Sequence, residues 1–453
     1  VNRGLIEHPF LRKGERIGER IVQPFATFAR QQASGGIVVL LATIAAMVWA
    51  NSSFGEYYSN LLHLHVVAGA NGTILDKSLH FWVNDGLMTI FFFVVGLEIK
   101  REILVGELSS FRQAAAPVAA AVGGMLVPAL MYAYLNLGEP TLHGWGTPMA
   151  TDIAFTIGAV TALGTRAPRS LMVFLTALAI ADDLGAVLVI ALFYTTEITV
   201  VYLGIALIFL VMLVVLNILG ASGPVPFLLF GLVVWVCVFF SGVHPTAAGI
   251  LVAMTIPARA KCDIETFAQH AGNLVDRFSH CTVDTCDVYT NEEHQATIRT
   301  LENMCHRVEP PLHRMEYALH PWVTFLIVPI FALANAGVVI EIDKLTSVLS
   351  QPVSLGILLG LVLGKPVGIT LFTWFAVKSG FGDLPAGLTF RHVIGGAALC
   401  GIGFTMSMFI AQLGLPDPEN LEAAKIAILS ASLISFVIGF TVLFMSSKRH
   451  VPT

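Results

Sequence analysis

Residues 177–193 read ALAIADDLGAVLVIALF, two adjacent carboxylates inside an otherwise apolar run. No other charge lies between Arg169 and Glu197. With its flanks the run is long enough to cross a bilayer, which takes roughly 20 apolar residues as a helix. An ionised carboxylate near the bilayer centre costs about 2.5–3.5 kcal/mol even on the lower estimates. Asp182 and Asp183 therefore need a partner, a proton, a bound cation or water, and the rest of the chain is read as the supply of these.

The composition agrees with a membrane setting. Of 453 residues 56% are hydrophobic and only 12% charged, and the mean hydropathy is +0.78. Soluble domains carry about 25% charged residues. A polytopic, all-α membrane protein follows, and the net charge of −5 matters less than where the charges fall. No nucleic-acid motif or basic binding face is present. The six cysteines are scattered, four of them in one polar segment, which argues against a disulfide framework.

Twelve apolar segments are expected as spans, at about 35–50, 80–103, 114–134, 145–163, 177–193, 199–219, 225–240, 243–257, 320–339, 353–377, 393–413 and 421–445. The organisation is then a tail over 1–32, spans 1–8 over 33–257, a polar insert over 258–311, spans 9–12 over 312–447, and a tail over 448–453. The first tail carries Arg3, Arg12, Lys13, Arg16, Arg20 and Arg30 and has no apolar core before Gly35, so no cleavable signal peptide is expected. Leu11, Ile17, Ile21, Phe25 and Phe28 recur at helical intervals, which suits a helix on the membrane surface or a frayed tail. Between the first two spans, Asn71-Gly72 separates two β-prone runs and predicts a hairpin over 64–80. Within the insert, Thr290 and Glu293 form a capping-box pattern that predicts at least one helix. Twelve spans put both termini on one side. All Lys and Arg except Lys77, Lys344, Lys425 and the intramembrane Lys365 fall on that side, which predicts cytoplasmic termini.

Few charges lie within spans: Asp152, Asp182, Asp183 and Lys365, with Asp85 and Glu98 nearer the ends of the second span. A cluster that only held helices together would not need two more acids than bases. An excess of carboxylates suits a site for exchangeable cations. Neighbours on a helix point about 100° apart. One of Asp182 and Asp183 can therefore face a water-filled funnel while the other meets a partner helix, and Lys365 is the only intramembrane base for that role. Pro148 and the Thr151-Asp152 pair predict a broken fourth span. AFTIG at 154–158 has an echo in GFTMS at 403–407, so two interrupted spans stand in corresponding places of two halves. Seven segments separate them, so they cross in opposite directions, as in an inverted repeat.

Taken together, ATDIAF (150–155), ALAIADDLGA (177–186), LGKPVGI (363–369), CGIGFTMS (400–407), SGVHPTAAG (241–249), GLEIKRE (96–102) and LHPW (319–322) resemble the NhaA family of bacterial Na+/H+ antiporters. The resemblance runs from Ala33 through the eleventh span. It implies an inverted-repeat fold whose fourth and eleventh helices are broken and cross, with a separate interface domain. It implies secondary active, electrogenic exchange: sodium or lithium leaves the cell and a larger number of protons enters, with activation at alkaline pH. By this likeness Asp183 binds Na+ or Li+, Asp182 is its neighbour paired with Lys365, and Asp152 with Thr151 sits at the crossing, where its charge offsets helix dipoles. Glu98, Glu102, His244, Glu316 and His320 match positions tied to pH regulation. Tyr317 stands where some members have histidine, and the insert from Arg259 is longer than usual. The resemblance also implies an inner-membrane location, no cofactor, and a homodimer formed through the 64–80 hairpin.

Competing readings rest on less. His280, Cys281, Cys286, Cys305 and His306 offer zinc-type ligands, but their spacing matches no familiar site. GFGD at 380–383 fits the GxGD pattern of intramembrane aspartyl proteases, yet Asp383 falls in a connection. A sodium-coupled symporter for an organic solute would need a readable aromatic-rich polar pocket, and none is seen.

Overall fold

The structure is a computed structural model that describes residues 32–70, 73–195, 198–221, 223–259, 264–279 and 292–446. The N-terminal tail, the Asn71-Gly72 turn, Thr290, His280, Cys281, Cys286 and the C-terminal tail lie outside the described residues. In chain order the elements begin with α1 (Gln32–Ala50), α2 (Gly55–Leu62), β1 (His65–Ala70) and β2 (Thr73–Ser78). Next come α3 (79–105, holding a wide turn at Trp82–Leu87) and α4 (Phe111–Leu135). A 3₁₀ segment, Pro140–Met149, leads into α5 (Ile153–Ala162). It is followed by α6 (Arg169–Phe193), α7 (Val200–Ile218), α8 (Pro224–Ser241) and α9 (Thr246–Thr255). Two helices, α10 (Ile264–Ser279) and α11 (Glu292–Val308), occupy the polar insert and pack on each other. The chain then continues through α12 (Pro311–Asn335), α13 (Ile342–Leu349), α14 (Pro352–Lys378), α15 (Phe390–Cys400), α16 (Phe404–Gly414) and α17 (Pro418–Ser446).

All twelve apolar segments are helical, but they are not twelve equal rods. Among the described residues seven single helices are long and apolar enough to cross a membrane, or nine if each of two bent pairs is one span. The remaining three segments depart from that form for visible reasons. The wide turn interrupts α3, whose last turns also carry Glu98, Lys100, Arg101 and Glu102. The 3₁₀ segment and α5 are separated by extended backbone. Helix α9 has ten residues, about 15 Å of rise against a hydrocarbon core of about 30 Å. Its C-terminal end is closed by Lys100, whose ammonium donates to the carbonyls of Met254 and Ile256, and by Asn217, which donates to Thr255.

Helices α4 and α14 pack closely along their length, and glycine makes it possible. Gly356, Gly360, Gly364 and Gly368 recur every fourth residue and so form one stripe on α14. A β-carbon on each would run into Tyr132, Pro148, Pro128 and the backbone of Gly123 respectively. Small residues at this spacing let membrane helices approach backbone to backbone. The stripe flanks Lys365, and Gly124 of α4 leaves room for Ile369, one turn further along α14. Lys365 is among the largest fully buried side chains of the molecule.

By contrast α7 buries only Ala206 and Leu213, so it presents an apolar outer face suited to lipid. Strands β1 and β2 pair antiparallel in the register His65↔Ser78 to Ala70↔Thr73. The hairpin is tied down at its base by Trp82, whose indole donates to the Val66 carbonyl, and by Lys77 over the rings of Phe81 and Phe239. Asp383 lies in the exposed connection after α14, paired with Arg112 at 2.9 Å. That is a surface contact and not the buried aspartate a protease would need.

Candidate functional site

The fourth segment breaks where the sequence places Pro148. Its 3₁₀ turn stops at Met149, Ala150 is extended, and Asp152 (φ −89°, ψ 104°) becomes the N-cap of α5. The eleventh segment breaks at residues 401–403 with a bend of 49° between α15 and α16. Gly403, the N-cap there, has no side chain to cap α16.

Asp152 serves both breaks. Its Oδ1 accepts from the Phe155 amide at 3.2 Å and its Oδ2 from the Thr405 amide at 3.1 Å and the Thr405 hydroxyl. One carboxylate thus caps two helices whose positive ends converge on it, the placement in which a helix dipole favours an anion. The backbones touch at the same point: the Asp152 amide donates to the Ile402 carbonyl at 2.8 Å, and the Thr156 hydroxyl to the Leu399 carbonyl at 3.2 Å.

Lys365 serves the opposite sign. Its ammonium donates to the Met149 carbonyl, where the 3₁₀ segment ends, and to Asp182 Oδ2 at 2.9 Å. The same Asp182 oxygen accepts the Thr151 hydroxyl at 2.7 Å. All four side chains are almost wholly inaccessible: Thr151 and Lys365 at 0%, Asp182 at 1%, Asp152 at 2%. Asp183 is as buried, at 1%, yet its Oδ2 has no protein partner among the described residues, and neither has Asp182 Oδ1. A buried carboxylate oxygen without a donor is costly as an anion. The arrangement can therefore take up a proton or a small cation at Asp183 without displacing a protein contact.

The five residues matched to pH regulation fall in two places. On the α3–α12 face, Glu98 meets His320 at 3.5 Å, while Arg101 pairs with both Glu102 at 3.0 Å and Glu316 at 3.2 Å. His244 is elsewhere: it pairs with Asp85 at 3.3 Å and Thr246 at 2.7 Å, and the Asp85 carbonyl accepts from the Trp235 indole and the Thr89 hydroxyl. Asp85 and Glu98 are 13 residues apart on α3, about 20 Å of helix. Tyr317 is exposed. Arg101 was not singled out from the sequence, although it lies inside GLEIKRE and is the hub of its cluster. Thr405 was likewise passed over as a site residue, although the echo between AFTIG and GFTMS pointed to it: both motifs begin the helix that follows a break. Among the described residues no group of three or more His, Cys, Asp or Glu side chains could hold a metal ion. Cys305 is exposed and free.

The family model described as Na+/H+ antiporter 1 matches residues 26–443. The chain is 48% identical over 429 residues to a Na(+)/H(+) antiporter NhaA of Koribacter versatilis, covering 95% of this chain and 93% of that one. It is 47% identical over 433 residues to the protein of that name from Acidithiobacillus ferrooxidans, covering 95% and 99%. With an NhaA 1 of Clostridium beijerinckii the identity is 41% over 424 residues, covering 94% and 96%.

Proposed function

The chain belongs to the Na+/H+ antiporter 1 family of polytopic helical membrane proteins and exchanges sodium for protons; from that premise we propose how its own residues carry the exchange. The observation that carries the proposal is the buried Asp183 carboxylate with an oxygen left free of any protein donor, beside an Asp182 already held by Lys365 and Thr151. Asp183 alternately holds a proton and a Na+ or Li+ ion. Asp182 and Thr151 stand next to it, and Asp152 fixes the crossing at which the site is built.

Exchange proceeds without a chemical step. A dehydrating cation draws on the nearest anionic oxygens, so its arrival at Asp183 weakens the hold of Asp182 on Lys365. Lys365 then stands buried without its counter-ion, a positive charge left uncompensated beside the incoming cation. More protons than sodium ions move per cycle, and the exchange carries net charge. Each net charge is worth about 2.3 kcal/mol per 100 mV, so a negative interior drives sodium out. The distribution of Lys and Arg supports cytoplasmic termini, and the family likeness supports a bacterial inner membrane. Glu98, Glu102, Arg101, Glu316 and His320 then gather at the cytoplasmic end of α3, where the ion pairs among them can govern the opening of the site. His244 with Asp85 lies towards the other face and acts separately. The hairpin, a two-stranded sheet too small to be stable alone, pairs with its counterpart in a homodimer.

Replacing Asp183 with Asn keeps the volume and removes the charge. In proteoliposomes with a pH dye, wild-type protein should exchange Na+ and Li+ while the Asp183→Asn protein, equally well folded, should show none. Exchange at the wild-type rate would reassign the site.

In the same vesicles the wild-type rate should climb from acid to alkaline pH. Glu98→Gln should displace that profile without abolishing exchange. A profile that stays put would detach the α3–α12 cluster from regulation.

Removal of residues 66–77 should weaken the dimer and leave each protomer active. An unchanged mass in detergent would disconnect the hairpin from assembly.

Lys365→Gln leaves Asp182 buried without its cation, and breaking a buried pair costs roughly 3–5 kcal/mol. Thermal stability should fall, and residual exchange should lose part of its response to voltage. Vesicles clamped at zero and at negative potential measure this. A full response to voltage in the variant would make the lysine purely structural.

A further inference from the structure

Helix α3 fixes the depth of the acids relative to two polar clusters. Its Val95 and Ile99 pack on Ile180 of α6, with Phe91 and Leu184 alongside, so the Asp182–Asp183 level faces the middle of α3. The Glu98–Arg101 cluster lies toward its C-terminal end. Toward the N-terminal end, about 10 Å beyond Phe91 by helical rise, three side-chain amides from three helices form a closed ring. Asn84 Nδ2 (α3) donates to Gln412 Oε1 (α16) at 2.6 Å, Gln412 Nε2 donates to Asn335 Oδ1 (α12), and Asn335 Nδ2 donates back to Asn84 Oδ1 at 2.9 Å. The second Asn335 N–H goes to the Phe331 carbonyl at 2.9 Å, and His80 lies against the ring, 3.0 Å from Asn335 and 3.2 Å from Asn84. Asn335 is fully buried and Asn84 nearly so. The same three helices supply an aromatic layer beneath: Phe409 of α16 is 5.5 Å from Phe92 of α3 and 6.2 Å from Phe331 of α12.

The ring joins two bodies. Helix α16 packs on the 3₁₀ segment and α17, the body that holds the crossing, whereas α3 packs on α9 and α12. An apolar contact would seal this seam as well. A ring of amides differs in how it opens: its hydrogen bonds are exchanged for bonds to water, at a net cost of only about 0.5–1.5 kcal/mol each. Closed, it leaves no amide unpaired. Such a contact holds one arrangement and is still able to release it.

We propose that Asn84, Asn335 and Gln412 form a latch that closes the outer side of the ion site, and that it must open each time Asp183 faces outward. The latch rests on the antiporter reading, since a site buried from both sides must open to each in turn. Gln412 touches neither the ion nor its carboxylates and acts by positioning α16. Gln412→Leu removes two edges of the ring and should raise the outward-facing population. An ion's apparent affinity at one face scales with the fraction of protein open to that face. Apparent KM for Na+ should therefore fall at the outer face and rise at the inner face, their ratio changing about tenfold, the equivalent of two net hydrogen bonds. Right-side-out and inverted vesicles measure the two values, with wild-type exchange in the same vesicles confirming the antiport on which the argument stands. A merely structural role would lower the rate or move both KM values together, and either that or an unchanged ratio would overturn the latch. Gln412→Asn keeps an amide one methylene short. It should shift the ratio the same way by less, and it carries the same test should the leucine variant fail to reach the membrane.

Discussion

A helix that stops inside a membrane leaves amide and carbonyl groups unpaired where no water can reach them, and the rest of this structure follows from how those ends are satisfied. Two positive ends meet at Asp152, and one carboxylate bonds both. A negative end at Met149 meets Lys365. Asp152 suffices for two helices only because the Asp152 amide to Ile402 carbonyl bond holds the breaks in contact. Lys365 reaches its carbonyl only because the glycine stripe brings α14 against α4 and Pro148. Loss of either approach would strand a charge in a low-dielectric interior, which costs more than the packing itself.

Much of this was legible in the residues. Asp182-Asp183 in an apolar run, the lone intramembrane Lys365, and Pro148 followed by Thr151-Asp152 already state a charged site at a helix break. That one of the two acids meets Lys365 followed from elimination, because Lys365 was the only base at hand; that this one is Asp182 was implied only by the family resemblance. The second cap of Asp152 was not legible, because it depends on what Gly403 lacks and on a backbone 250 residues away. The α14 stripe was present in the sequence as glycines at every fourth position, and it passes unremarked when glycine is read only as a breaker. Span lengths were the other gap. Hydropathy marks residues 243–257 as apolar but not that α9 ends after ten residues, because that end depends on Lys100 and Asn217 reaching its carbonyls. The resemblance likewise assigned five residues to one role without distances, and 13 positions along α3 separate His244's partner Asp85 from Glu98.

Helix α3 emerges as the element that measures depth. It carries the ring at Asn84, the Asp85–His244 pair, the largely apolar run Met88–Leu97 and the Glu98–Arg101 cluster, in that order along one helix. Polar groups at both ends and an apolar middle suit a gasket beside the proposed ion site. The middle excludes water at the level of the acids, while the two ends offer bonds that can be remade on hydration.

The distribution of compensating groups, and not the number of acids, is what sets Asp183 apart and supports the proposal that it carries the ion. Asp152 is engaged by two helix ends and the Thr405 hydroxyl. Asp182 is engaged by Lys365 and Thr151 through a single oxygen, Oδ2, so its Oδ1 can still turn toward a neighbour. Asp183 adjoins it on the same helix, is equally buried, and has an oxygen without a donor. Three buried carboxylates outnumber the one ammonium that faces them, which leaves negative charge to be compensated. The deficit falls on the one carboxylate with the least compensation. A proton and a sodium ion cancel it equally well, so occupancy by one excludes the other. On the proposed assignment that exclusion, enforced by burial, is what couples the two fluxes.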